Sequence, residues 1–144
     1  MPDKAKELNT TVELINNKLH FNGTAGNNTP VSIDYFPPLG DDLGYTSLEL
    51  LLLSLSSCVG SAVITFLRKM NKEITGFKII SKGIRKEEHP TGFKSITLNI
   101  LITAPDTSSD DMDKVIQLTE DKYCPVWSML KGNVELFINY QIVF

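Results

Sequence analysis

Two side chains in this sequence could attack an electrophilic oxygen or sulfur near neutral pH: Cys58 and Cys124, 66 positions apart. Their spacing makes no CxxC pair and no zinc box, and two cysteines are too few for a disulfide scaffold. In a reducing compartment such a pair could work as a peroxide-reactive thiol and its resolving partner, passing through a sulfenic acid to a disulfide. Spacing alone does not establish that the two meet. The elements that carry them therefore decide the matter.

Cys58 lies in LLLLSLSSCVGSAVITFLRKM, residues 50–70, inside a run of eighteen uncharged residues between Glu49 and Arg68. That run only reaches the lower length limit of a membrane span, about 18 residues. Seven small polar or glycine positions interrupt its apolar surface, which predicts a core helix rather than a membrane crossing. Thr46 three positions before Glu49 makes a capping box, and Arg68 and Lys69 suit the negative end of the helix dipole. Only Gly60 opposes helix formation, and an apolar rod of this length needs other structure around it. On such a helix Ser54, Ser57, Cys58, Ser61 and Thr65 share one narrow stripe of small side chains, against which another backbone can approach closely. Cys58 is then either a small buried hydrophobe or a presented thiol. Burial in mid-helix raises a thiol's pKa unless a donor or a positive group lies nearby.

Cys124 sits in YCPVW. Pro125 suits the first position of a helix, so Cys124 falls at the N-cap, where free N–H groups and the helix dipole lower a thiol's pKa. The plainer alternative is that it merely packs. Glu49 also has two readings. It completes the capping box, or it orients a basic group or substrate. Along one helix it stands about 13 Å before Cys58, too far to touch it. His20 and His89 are solitary and read as hydrogen-bonding or surface residues. Trp127 and Met129 read as core or interface residues, or as an apolar wall for an organic ligand.

Around these segments the chain alternates in the manner of strands. TTVELI, INNKLHF with a turn at Asn16-Asn17, and VSIDY precede the long helix, separated from it by FPPLGDDLGY. ITGFKIIS and FKSITLNILI follow, the latter with Ile96, Leu98, Ile100 and Ile102 on one face. The polar GIRKEEHPTG joins them as a projecting hairpin. SSDDMDKVIQLTEDKY opens like a helix and repeats Met112, Val115, Ile116 and Thr119 at helical spacing. CPVWSMLKG makes a short helix ending at Gly132, and VELFINYQIV closes the chain as a strand. The order β-β-β-α-β-β-α-α-β predicts a single α+β domain over residues 1–144, with no phosphate-binding or dinucleotide fingerprint.

Composition agrees. Fourteen basic and 17 acidic residues give a net charge of -3, without the basic excess that nucleic-acid binding requires. The first residues, MPDKAKELNTTVEL, lack the apolar core of a secretory signal. A cytoplasmic protein with no nucleic-acid or membrane partner is expected.

SLELLLLSLSSCVGSAV at 47–63 and KYCPVWSMLKGNVEL at 122–136 resemble the OsmC/Ohr family of organic-hydroperoxide reductases and their relatives, specifically an OsmC-like branch. The resemblance implies an OsmC-like fold with antiparallel sheets around a long central helix, in an intertwined homodimer with active sites at the subunit boundary. It makes Cys58 the peroxidatic cysteine and Cys124 the resolving one, and it places Glu49 at an acidic catalytic position. The partners it implies are an organic hydroperoxide and an external thiol or dithiol; no metal or flavin cofactor is implied. The chain departs from the family pattern twice. Its first arginine is Arg68, so no N-terminal guanidinium is available, and only Lys18 or His20 could bring positive charge from that region. Leu48 also replaces the first residue of the family's acidic pair, leaving Glu49 alone. The competing readings are a non-catalytic relative that binds an apolar small molecule at the dimer groove, and a general thiol–disulfide exchange protein.

Overall fold

The computed structural model describes residues 5–143; the first four residues of the polar start read above lie outside them. The chain divides between Leu51 and Leu52 into two compact units. In the N-terminal unit, β1 (Thr11–Leu14), β2 (Phe21–Thr24) and β3 (Val31–Ile33) form an antiparallel sheet in that order. The turn between β1 and β2 falls at Asn16-Asn17, where Asn16 Oδ1 accepts the N–H groups of Lys18 and His20 at 2.9 and 3.0 Å. A short polar side chain that bonds its own backbone is what makes asparagine a turn residue.

Helix α1 spans Ser47–Lys69. Its start is the expected capping box: Thr46 N–H donates to Glu49 Oε1 at 2.9 Å, and Glu49 N–H donates to Thr46 Oγ1 at 3.2 Å. Two otherwise orphaned N–H groups are satisfied in this way.

In the C-terminal unit α1 leads into β4 (Gly76–Arg85) and β5 (Phe93–Thr103), an antiparallel hairpin closed by Lys86 N–H donating to Gly92 O at 2.8 Å. The predicted stripe Ile96, Leu98, Ile100 and Ile102 is fully buried. Gly60 has a packing reason. A Cβ there would stand 3.1 Å from the Phe77 ring and 3.3 Å from Ile79, so its absence lets α1 settle on β4. Helix α2 (Ser109–Leu118) is capped by Ser108 and Asp111 and buries Met112 and Val115. A π-helical turn, Thr119–Tyr123, follows, then the short helix α3 (Pro125–Leu130) and strand β6 (Glu135–Val143). Gly132, with φ of 86°, takes the left-handed turn just beyond α3.

The α+β class and the element order agree with expectation. Two features differ. β6 pairs parallel to β5, so the second sheet is mixed rather than wholly antiparallel. A parallel partner needs a crossover of a dozen or more residues, and α2, the π turn and α3 supply it. Helix α1 is also not enclosed all round by its own chain. Leu55, Val59, Gly60, Ala62, Val63 and Leu67 are buried, whereas Leu53, Ser54, Ser57 and Ser61 are exposed.

Candidate active site

The structure brings the two cysteines together. Cys58 and Cys124 are free thiols, and the Cys124 S–H donates to Cys58 Sγ at a sulfur–sulfur distance of 2.9 Å. A disulfide needs about 2.05 Å, so closure asks the two sulfurs to approach by roughly 0.9 Å. The two sulfurs differ in access. Cys58 is half-buried, while Cys124 keeps 1% of its surface.

Cys124 occupies the N-cap of α3 with Pro125 at the first helical position, as the sequence indicates, and its sulfur accepts the Trp127 N–H at 3.3 Å. Its acidity runs opposite to expectation. The thiol is pushed up from 9.0 to about 12, first by burial and then by the bond to Cys58; the backbone N–H groups of Trp127 and Val126 pull the other way without prevailing. A cap lowers a thiol's pKa only where desolvation is small, and Cys124 is almost wholly buried. Met129 is 73% exposed, so Trp127 and Met129 do not share one apolar wall.

Three hydroxyls of the small-residue stripe bond back to the helix. Ser57 donates to Ser54 O, Ser61 to Ser57 O and Thr65 to Ser61 O, at 3.1, 2.7 and 2.6 Å. What it presents outward is small and already hydrogen-bonded. Beside it runs an open groove of about 530 Å³, lined among others by Leu53, Gly60, Ile64 and Phe77.

Glu49 stands nine positions before Cys58, and its carboxylate closes the capping box. Lys18 Nζ is paired with Asp41 Oδ1 at 2.7 Å. His20 Nε2 lies 2.8 Å from Ser32 Oγ, whose own proton goes to Leu43 O, so Nε2 is the donor in that contact. Both candidate cations thus have partners inside the N-terminal unit. His89 is exposed in the β4–β5 turn.

Asp34 escaped the sequence reading, and Thr119 entered it only as one position of a helical stripe. Asp34 has no exposed surface and accepts the N–H groups of Tyr35, Asp41 and Leu43 at 2.7, 3.2 and 3.2 Å, which organises the loop before α1. The signal was an aspartate followed by YFPPLGDDLG, a segment whose backbone donors need an acceptor. Thr119 is buried too. Its hydroxyl donates to Val115 O at 2.7 Å and its carbonyl accepts the Cys124 N–H at 3.1 Å.

Similarity to known proteins agrees with this arrangement. The pattern of the family described as OsmC-like protein matches residues 40–139, a stretch that includes both cysteines. Protein YhfA of Escherichia coli K12 is 26% identical over 102 residues, covering 71% of this chain and 76% of that protein. A hypothetical protein from Aquifex aeolicus superposes with a TM-score of 0.84 at 25% identity, over 96% of this chain and 98% of the other. The organic hydroperoxide resistance protein OhrB of Bacillus subtilis superposes less closely, with a TM-score of 0.66 at 16% identity over 94% and 98% of the two chains. With a matched region running from the loop before α1 to the closing strand, and its thiols joined across α1 and α3, this chain belongs to the OsmC-like protein family.

Proposed function

We propose that the protein is a thiol-dependent peroxidase that reduces organic hydroperoxides, with Cys58 as the attacking thiol and Cys124 as the resolving one. The observation that carries this reading is the 2.9 Å approach of an accessible sulfur to a sealed one. Cys124 holds its proton up to about 12, so in the reduced pair its S–H stays on Cys58 Sγ, the sulfur that attacks.

Cys58 thiolate attacks the terminal peroxide oxygen. The O–O bond breaks, the alcohol leaves after taking a proton, and Cys58 becomes a sulfenic acid. That step removes the thiolate that had held the Cys124 proton in place. The N–H groups of Trp127 and Val126 then stabilise a Cys124 thiolate, which attacks the Cys58 sulfur and releases water as the disulfide forms. An external dithiol returns two electrons and two protons. Glu49 enters as a carboxylate that caps α1 through one oxygen while its charge orients a basic group or the substrate.

The exposed face of α1, with its self-satisfied hydroxyls, suits close packing against a second copy, and we read the active form as a homodimer. Sedimentation of the reduced protein at micromolar concentration tests that assignment; a monomer at every concentration counts against it.

Stopped-flow measurement with cumene hydroperoxide and a dithiol tests the chemistry. Wild-type protein consumes peroxide and Cys58→Ser does not; equal rates sink the proposal. A protein that binds the hydroperoxide without consuming it is the apolar-ligand relative instead. Faster turnover of a disulfide substrate than of peroxide identifies a thiol–disulfide exchange protein.

A further inference from the structure

The π-helical turn Thr119–Tyr123 lies immediately before Cys124. Its closing bond runs from the Cys124 N–H to Thr119 O at 3.1 Å, five residues back rather than the four of an α-helix. In a regular α-helix, residues five apart project roughly 140° from one another. Continued α-helical winding would therefore carry position 124 away from the buried side on which Thr119 lies, and Tyr123 would bond above it. The wider turn instead brings Cys124 over Thr119.

Two contacts to α1 depend on that placement. The Tyr123 ring meets Phe66 edge-on at 4.8 Å, and Cys124 reaches Cys58 at 2.9 Å. Thr119 is the fixed point. It is fully buried, its hydroxyl is tied to Val115 O, and its carbonyl holds the Cys124 backbone.

We infer that the π-helical turn is a positioning device for the resolving thiol, with Thr119 as its positioning residue: the one extra residue in the turn brings Cys124 to Cys58. This inference rests on the reading of Cys124 as the resolving cysteine, and its test needs no peroxide. In a glutathione redox buffer, the two thiols give two electrons and two protons to oxidised glutathione, yielding the Cys58–Cys124 disulfide and two molecules of reduced glutathione. Loss of peroxide turnover with an intact exchange equilibrium would count against the proposed activity alone.

Insertion of one alanine after Lys122, in the exposed part of the turn, puts Cys124 six residues beyond Thr119, about 240° round an α-helix, and should swing it away. The equilibrium constant for disulfide formation is expected to fall at least about 100-fold, a shift of about 59 mV, while the reduced variant keeps its circular dichroism spectrum. Thr119→Val keeps the shape and loses the hydroxyl bond, so a fall of about three- to tenfold is expected, with Thr119→Ser restoring the wild-type value. A folded insertion variant with the wild-type equilibrium constant overturns the inference. If that variant does not fold, two other measurements decide. Through-hydrogen-bond NMR coupling from the Cys124 amide is expected to the Thr119 carbonyl; coupling to the Glu120 carbonyl overturns the inference, as does a wild-type equilibrium constant for Thr119→Val.

Discussion

Asp34 and Cys124 pose the same physical problem and solve it in opposite directions. Each is an acidic side chain buried where backbone N–H groups converge, and in each desolvation is the largest influence, favouring the neutral form. Asp34 nevertheless lies below the ordinary carboxylate range, because Tyr35, Leu43 and Asp41 each donate an N–H to it and His20 adds positive potential. Cys124 lies far above the ordinary thiol range, because only Trp127 and Val126 donate to it and Cys58 favours the protonated form. Charge survives burial when donors outnumber what was lost and the neighbour has the right sign. The first site holds a loop in place; the second holds its proton.

Removing the neighbour should have the largest effect. Cys58→Ala is expected to lower peroxide turnover by at least about 10³-fold, as loss of an attacking group does. The same variant should bring Cys124 down from about 12 while leaving it above 9.0, since the influence of Cys58 disappears and burial remains. Alkylation rate against pH measures this. A Cys124 still at about 12 would mean that desolvation alone explains the shift.

The contrast also predicts losses of stability at opposite ends of the pH scale. For Asp34, the folded value lies below the unfolded one, so the unfolded chain binds more protons in acid. Its stabilising contribution is complete above the ordinary 3.8 and disappears as pH falls through the lower folded value. For Cys124, the folded value lies above the unfolded one, so the unfolded chain releases its proton first. Reduced protein therefore loses stability as pH rises from 9.0 towards about 12. Urea midpoints across both ranges check this, with Asp34→Asn expected to flatten the acid limb and Cys124→Ala the alkaline limb.

The donors around Asp34 can be displaced without replacing the carboxylate. A Cβ at Gly40 would collide with Asp34 Oδ1 and with the Tyr35 backbone. Gly40→Ala is expected to destabilise by about 1–3 kcal/mol, the usual cost of overpacking, and to raise the Asp34 pKa towards its ordinary value. An unchanged urea midpoint would show that the loop can open at little cost.

How much of this was legible in the sequence follows from how local each interaction is. The Thr46–Glu49 box, the Asn16 turn, the buried face of β5 and the placing of Cys124 at an N-cap are all set by residues within a few positions of one another. Their side-chain types therefore carried the information. The parallel pairing of β6 depends on a partner some forty residues earlier, and an alternating strand looks the same in either direction. The π-helical turn has no composition of its own, and Thr119 continued an ordinary helical stripe. The acidity of Cys124 depends on its burial in the folded chain and on Cys58 beside it, so the local cap pointed in the wrong direction. That the two cysteines meet was expected through family resemblance and came into view only once α3 was placed beside α1.

Glu49 supplies a third case beside Asp34 and Cys124: an exposed carboxylate that accepts one backbone N–H. With little desolvation to oppose and one donor to hold it, its contribution to the fold should be small and separable from its charge. Glutamine serves as well as glutamate in a capping box, so Glu49→Gln keeps the bond to Thr46 and removes only the charge. Glu49→Ala removes both and should cost about 0.5–1 kcal/mol of stability. If the carboxylate also orients a basic group or the substrate, Glu49→Gln lowers kcat/KM about two- to threefold at an unchanged melting temperature. That modest drop, measured with cumene hydroperoxide, is the expected result. Turnover equal to wild type in Glu49→Gln, with the loss confined to Glu49→Ala, would reduce Glu49 to a helix cap and leave the chemistry to the two sulfurs.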